Sequence, residues 1–230
     1  MQEALNRCGI DNTVILHNPS AVPTPLTPLT VRGKTRFNLA FAGRIAQEKG
    51  LAQFIELAQE ANFEHIGAIG VYGEGPERAV IEQRFASLIE RGKLIFFGSM
   101  PQEQLFADMR RFADAVIVPS VCAENAPLII IEAAMLGLPA LVRDGGSMAT
   151  TADAVGNKIK FSTDPESLKL ALGQLATHLS NPERKYDVGQ YLPEYYAERL
   201  AEIMDIGEGA IPSAHRSFAA DNAQSSGVLR

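Results

Sequence analysis

Residues 115–142 read AVIVPSVCAENAPLIIIEAAMLGLPALV, and this stretch decides the class of fold. The apolar runs 115–118 and 140–142 have the length of buried strands, whereas the segment 127–136 between them is long enough for a helix. Gly137 follows that segment, at the position where helices commonly end in a left-handed residue. A strand, a helix and a second strand in this order form a βαβ unit, whose two strands run parallel.

The same alternation continues on both sides of this stretch. Short apolar runs predict further strands at 37–42, 66–72 and 94–97, with a weak one at 158–161. Amphipathic spacing and end signals predict helices at about 51–58, 76–90, 101–111, 164–179 and 193–204, with Asp164 as the N-cap of the fourth. We therefore expect an α/β fold, a Rossmann-like three-layer sandwich with about six parallel strands.

The composition excludes several classes of protein. Of 230 residues, 46% are hydrophobic and 21% charged, and no apolar run approaches the ~18 residues of a membrane-spanning helix. The formal charge of −6 provides no general field for nucleic acid. Cys8 and Cys122 are too few for a disulfide framework or a zinc site, and the first residues lack the regions of a signal peptide. A reducing compartment, the cytoplasm, is expected.

The sequence predicts three segments of different character. Residues 1–17 resemble an interdomain linker remnant that leads into a first short strand at 14–17. Residues 10–206 are predicted to form one Rossmann-like domain. Residues 207–230 are rich in small and polar side chains, which predicts a flexible C-terminal tail.

Ligands of parallel sheets bind where the strands end, and the first such loop is GRIAQEKG at 43–50. It carries Arg44 and Lys49, and a helix follows it. Cations beside the amides of a helix N-terminus favour an anion such as phosphate. The alternative is a solvated loop in which both cations pair with Glu48.

A second loop, GEGP at 73–76, has two glycines that let backbone approach a ligand closely. A plain strand-to-helix turn is the alternative. Neither a GxGxxG fingerprint nor a P-loop motif occurs in the chain, so the standard dinucleotide and P-loop mechanisms are unsupported.

The third loop and its helix contain two carboxylates, Glu124 and Glu132. Every residue from 126 to 136 except Glu132 is apolar or proline, which predicts a helix buried on nearly all sides. A buried carboxylate needs an internal cation or a ligand, because isolated burial of its charge is costly. The alternatives are a helix-cap role for Glu124 and an ion pair with a buried Arg or Lys for Glu132.

The order of these motifs over about residues 5–205 resembles the C-terminal, donor-binding domain of GT-B glycosyltransferases of family 4, the glycosyl transferases group 1. The resemblance rests on Gly43-Arg44, Lys49-Gly50, Gly73-Glu-Gly-Pro76, Phe97-Gly98-Ser-Met100, Pro119-Ser120, Glu124-x7-Glu132, Gly137-Leu-Pro139 and Gly145-Gly146. It implies transfer of a hexosyl group from a UDP-, GDP- or ADP-sugar with retention of configuration, without a cofactor or bound metal. The acceptor would be a glycan, a lipid or a small molecule, and membrane association stays open.

The resemblance also implies roles for individual residues. Arg44 and Lys49 would bind the donor diphosphate and, with Glu124 near the sugar hydroxyls, form the catalytic set. Glu132 would accept hydrogen bonds from the ribose hydroxyls. The remaining donor contacts would come from Gly43, Gly73, Gly75, Phe97, Gly98, Met100, Asn125, Ala126 and Leu128.

Some features depart from this family. Asn125-Ala126 replaces the commoner Gly-Phe, and no acidic residue follows Gly145-Gly146 before Asp153. The N-terminal acceptor domain is expected to be missing, or supplied as a separate subunit, so the chain alone would be inactive. The alternatives are a non-catalytic interaction module or split-enzyme subunit with a degenerate site, and a relative of sugar-nucleotide epimerases.

Overall fold

A computed structural model describes residues 16–20, 22, 25–31, 33–122, 127–157 and 159–204. The chain divides into two compact units, with boundaries after Ser20 and after Val188. The larger unit, 21–188, contains a six-stranded parallel sheet. Its strands are β1 Phe37–Ala42, β2 Ile66–Tyr72, β3 Leu94–Gly98, β4 Ala115–Val118, β5 Ala140–Arg143 and β6 Lys160–Phe161.

The helices of this unit alternate with the strands, as expected for βαβ connections. They are α1 Leu51–Glu60, α2 Arg78–Arg84, α3 Ala86–Glu90, α4 Gln102–Phe112, α5 Leu128–Met135, α6 Gly146–Ala154 and α7 Pro165–Ser180. The strand order is β3-β2-β1-β4-β5-β6, and every neighbouring pair is parallel. The predicted α/β class, the Rossmann-like arrangement and the number of strands are confirmed.

Strands β2 and β4 are buried on both faces apart from Gly67, which explains their uninterrupted apolar sequences. All four residues of β4 are buried, and so are five of the eight residues of α5. Gly137 follows α5 with a φ of +69°, the left-handed conformation predicted for it. A side chain at this position would also collide with the backbone of residues 27 and 28, so glycine is required for two reasons.

Two predicted elements need correction, and one helix was not predicted. The helix expected at 76–90 is broken at Phe85, which is buried and leaves the helical conformation, so that α2 and α3 are separate. No element was predicted directly after Gly145-Gly146, where the structure has the helix α6. The first strand expected at 14–17 is not formed by Leu16 and His17, and residues 14 and 15 lie outside the described residues.

The N-cap prediction for α7 is confirmed. The Asp164 carboxylate accepts hydrogen bonds from the amides of Glu166 (3.4 Å) and Ser167 (3.2 Å), and Pro165 occupies the first turn. These contacts satisfy amides that the helix itself leaves without partners.

Gly173 offers a test of helix energetics within α7. It is an exposed interior residue, it does not have a positive φ, and a methyl group there would meet no atom within 4 Å. We expect Gly173→Ala to raise the free energy of unfolding by about 0.5–1 kcal/mol, because alanine loses less backbone entropy on folding. Urea unfolding followed by circular dichroism measures this change, and an unchanged or lower stability would contradict the expectation.

The smaller unit contains the helix α8, Pro193–Ile203, preceded by a short 3-10 turn, Gly189–Tyr191. The amide of Ser20 donates to the carbonyl oxygen of Tyr191 at 2.8 Å, and the His17 and Tyr191 rings lie 5.2 Å apart. None of the helices in the described ranges is long and apolar enough to cross a bilayer. The predicted domain bounds of 10–206 and the tail at 207–230 stay predictions, since residues 1–15 and 205–230 are outside the description.

Candidate functional site

The candidate site lies at the carboxyl ends of β1 and β4, which are neighbours in the centre of the sheet. The strand order reverses there, because the chain proceeds from β1 towards β2 but from β4 towards β5. In open parallel sheets this switch point leaves a crevice between the two loops, and ligands bind in it. The loops concerned are 43–50 after β1 and 119–127 after β4.

These two loops are in direct backbone contact. The amide of Val121 donates to the carbonyl oxygen of Glu48 at 2.9 Å. A side chain on Gly50 would place its Cβ only 2.2 Å from the carbonyl oxygen of Pro119, and Gly50 has a φ of +70°. Glycine is therefore the residue that allows this approach, and it also sits directly before the first residue of α1.

Arg44 is exposed, and in the described part of the chain it has neither an ion pair nor a side-chain hydrogen bond. Arg44 and Glu48, both described, form no ion pair, so the alternative in which Glu48 neutralises Arg44 is wrong. Lys49 ends a short 3-10 turn, Gln47–Lys49, and is half-buried. The loop thus presents an uncompensated guanidinium beside the start of α1, which favours an anion.

Gly73 and Gly75 serve the packing of one loop against another. A Cβ on Gly73 would lie 2.0 Å from the carbonyl oxygen of Gly43, and one on Gly75 would lie 2.1 Å from that of Ile45. The amide of Ile45 donates to the carbonyl of Glu74 at 2.9 Å, and the amide of Gly73 to that of Gly98 at 2.8 Å. These contacts already require both glycines, and close approach of a nucleotide to them stays a prediction.

The Phe97 side chain belongs to an aromatic cluster. Its ring stacks on Tyr72 with centroids 4.6 Å apart and meets the edge of Phe112 at 5.3 Å. The Phe97 ring is therefore engaged in packing, and framing of a ligand by the backbone of 97–100 stays a prediction. The hydroxyl of Tyr72 is buried in this cluster, and burial raises its pKa to about 12.

One charged group at this edge was missed by the sequence predictions. The Arg78 guanidinium donates to Glu74 and, at 2.8 Å, to Glu82, and it lies 5.3 Å from the centre of the Phe96 ring. A Cβ atom added to Gly98 would lie 3.4 Å from Oε1 of Glu74, so this network lies beside the 97–100 segment. The spacing of residues 74, 78 and 82 by four along the chain is the signal that identifies such a network.

Glu132 lies on α5 and is half-buried, so its carboxylate is less buried than predicted. Its side chain faces the start of α4, where the Nε2 atom of Gln102 is 3.5 Å from Oε1. Among the described residues no cation pairs with Glu132, and burial raises the pKa of its carboxyl group. The carboxylate therefore retains acceptor capacity for a ligand.

The other predicted site residues divide into two groups. Leu128 is the first residue of α5, and Gly43, Gly98 and Met100 lie at the strand ends as expected. Glu124, Asn125 and Ala126 lie outside the described residues. The N-terminus of α6 joins the same edge directly after β5, because the helix begins at Gly146.

The family model of the glycosyl transferases group 1 matches residues 30–194, which is most of the chain. The chain belongs to this family.

Similar proteins agree with this assignment. The 2-deoxystreptamine glucosyltransferase of Streptomyces kanamyceticus is 29% identical over 150 residues, which are 65% of this chain and 36% of that protein. Two solved structures share the fold. The lipopolysaccharide outer core galactosyltransferase WaaB has a TM-score of 0.65 at 18% identity, covering 89% of this chain and 59% of WaaB. Anabaena HepE in complex with UDP and glucose has a TM-score of 0.61 at 15% identity, covering 89% and 60%. The chain spans about a third of the length of the curated relatives it matches.

Proposed function

We propose that the larger unit is the donor-binding domain of a retaining, family 4 glycosyltransferase, which holds a nucleoside diphosphate sugar in the crevice between the β1 and β4 loops. The observation that carries the proposal is Arg44, which is exposed and forms no ion pair with any described residue, at the topological switch point of a chain that belongs to this family. Since HepE, which shares the fold, was crystallised with UDP, a nucleotide is the natural ligand class to test.

In this proposal the reaction breaks the bond between the anomeric carbon and the β-phosphate oxygen and forms one from that carbon to an acceptor hydroxyl oxygen, whose proton passes to the leaving diphosphate. Negative charge grows on the leaving diphosphate in the transition state. Arg44 and Lys49 stabilise that charge with their own positive charges, without a metal ion. Glu132 accepts hydrogen bonds from the ribose, and Glu124 is assigned to the sugar hydroxyls by family resemblance.

We further propose that the acceptor is bound by a second domain or a separate subunit, because the relatives are considerably longer than the matched region. The 21–188 unit would then bind donor but not turn it over by itself. Calorimetric titration of the full chain with UDP, GDP and ADP tests donor binding and identifies the base. Absence of binding by all three at millimolar concentration would contradict the proposal.

The substitution Glu132→Gln separates ligand binding from folding. We expect the affinity for the preferred nucleoside diphosphate to fall about tenfold, because charge-assisted hydrogen bonds to the ribose become neutral ones. Burial raises the pKa of the Glu132 carboxyl group in the folded chain, so folding favours the protonated form of this group. The stability that this preference contributes is present at low pH and is lost as the pH rises through the raised pKa. Glutamine cannot ionise, so stability at pH 7 should stay equal or increase slightly.

The matched control is Glu103→Gln, an exposed carboxylate on the first turn of α4 next to Gln102. The affinity of the Glu103→Gln variant for nucleotide should equal that of the parent chain. A large loss of melting temperature in Glu132→Gln with unchanged affinity would instead assign Glu132 a structural role.

A further inference from the structure

A polar pocket lies at the amino ends of the strands, where β1, β2 and β3 begin. Arg36 directly precedes β1, Lys93 directly precedes β3, and the connection from α1 to β2 passes between them. The cavity has a volume of about 300 Å³, and we call it the basic pocket. Its lining consists of Arg36, Gln59, Asn62, Phe63, Leu88, Arg91 and Lys93.

The charge of this lining is of one sign. Three of the seven residues are cations and none is acidic, although the whole chain has a formal charge of −6. Within the described ranges none of the three cations forms an ion pair with a carboxylate. The acidic residue of the nearby connection, Glu64, contacts His65 and Lys169 instead. Among the residues that the structure describes, no ion pair therefore neutralises the positive charge of the pocket.

Two of the cations are held in place by backbone carbonyl groups. The ammonium group of Lys93 donates to the carbonyl oxygens of Gly67 at 2.8 Å and Ile66 at 3.4 Å. The Nε atom of Arg91 donates to the carbonyl of Ser87 at 2.9 Å, which leaves its terminal nitrogens for a ligand. Burial, together with the neighbouring Arg36 and Arg91, lowers the pKa of Lys93, as expected for like charges close together.

Helix energetics account for only part of this arrangement. Arg91 and Lys93 follow the C-terminus of α3, where cations interact favourably with the helix dipole. Arg36 follows no helix, and it is exposed without an ion pair among the described residues. The carboxamides of Gln59 and Asn62 add neutral donors to the same lining. Three cations and two amides around one cavity match the donor requirements of a phosphate group.

We propose that the basic pocket is a phosphate-binding site, separate from the crevice at the other ends of the strands. A six-residue strand spans about 20 Å, so one phosphate cannot contact both Arg36 and Arg44, which flank β1. The ligand is a phosphate monoester or a comparable dianion. It is supplied either by a soluble molecule or by a lipid headgroup, and both sources present the same oxygens to these cations.

Titration of the 15N-labelled full chain with inorganic phosphate tests the site residue by residue. We expect saturable shifts of amide resonances at 59–67 and 91–93. The substitution Arg36→Gln should lower the affinity reported by these amides about tenfold, since it removes one charge-assisted contact. The matched control Arg111→Gln, whose side chain is 80% exposed and pairs with Asp108, should bind phosphate at this site like the parent.

A second arm distinguishes the two sources of phosphate. Sedimentation of the chain with phosphatidylcholine vesicles, with or without phosphatidic acid, identifies a lipid ligand if binding needs phosphatidic acid and is lost in Arg36→Gln. Shifts with free phosphate and no vesicle binding identify a soluble ligand. The proposal is overturned if the amides at 59–67 and 91–93 do not respond, or if Arg36→Gln and the double variant Arg36→Gln/Arg91→Gln bind like the parent. Because the readout is local to these residues, the outcome is independent of nucleotide binding at Arg44.

Discussion

The substitution Gly73→Ala is expected to lower the free energy of unfolding by about 3 kcal/mol, the largest effect of any single methyl group considered for this chain. Two causes combine. The backbone of Gly73 has a φ of +131°, which side chains rarely adopt, and the added Cβ would lie 2.0 Å from the carbonyl oxygen of Gly43. That neighbour is backbone, so the β1 loop must move as a unit to relieve the overlap.

Urea unfolding of Gly73→Ala gives the loss directly, and Gly145→Ala separates its two causes. Gly145 has a similar φ, +117°, but a Cβ there would meet no atom within 4 Å. We expect Gly145→Ala to lose only about 1–2 kcal/mol, the cost of a backbone conformation that side chains rarely adopt. Equal losses in the two variants would show that the contact with Gly43 contributes nothing.

The substitution Arg44→Ala is expected to lower the affinity for a nucleoside diphosphate 10- to 100-fold, corresponding to about 1.5–3 kcal/mol for hydrogen bonds to a charged group. Stability should not change, because Arg44 is exposed and has no ion pair or side-chain hydrogen bond in the described part of the chain. Calorimetric titration of both chains measures the difference. Arg44→Lys should fall between them, since lysine retains the charge but loses the planar fork that binds two oxygens.

Arg84→Ala is the matched control for this experiment. Arg84 is on α2, its side chain is 58% exposed, and its charge is already paired with Glu56. Nucleotide affinity should be unaffected by its removal. If Arg44→Ala also bound like the parent chain, the phosphate role of Arg44 would be refuted, and the alternative of a non-catalytic interaction module would gain support.

The sheet was predictable because strands of parallel sheets appear as apolar runs. Strands β2, β3 and β4 are continuous runs of this kind, whereas β1 contains Asn38 and β5 ends in Arg143. The helix α6 was not, because GSMATTADA consists of small and polar residues without helical periodicity. Its buried residues, Met148, Ala149 and Ala152, become recognisable only when the neighbouring elements are in place. Local sequence thus identifies elements that carry their own pattern and misses those that depend on tertiary packing.

The candidate site shows the same division. The position of Arg44 follows from the strand that precedes it, and both are visible in the sequence. The half-burial of Glu132 is different, since the composition of α5 does not reveal that the start of α4 covers one side of the carboxylate. The closeness of Glu74 to Gly98 depends on the pairing of β2 with β3, which no local pattern specifies.

The backbone contacts among the loops after β1, β2 and β3 limit how this edge can evolve. Hydrogen bonds link Gly43 to Tyr72, Ile45 to Glu74, and Gly73 to Gly98, so each loop is in register with the next. A one-residue insertion in any of them would shift donors and acceptors in two loops at once. New ligand preferences should therefore arise by exchange of side chains at this edge, whereas changes of loop length should be confined to segments outside this set of contacts.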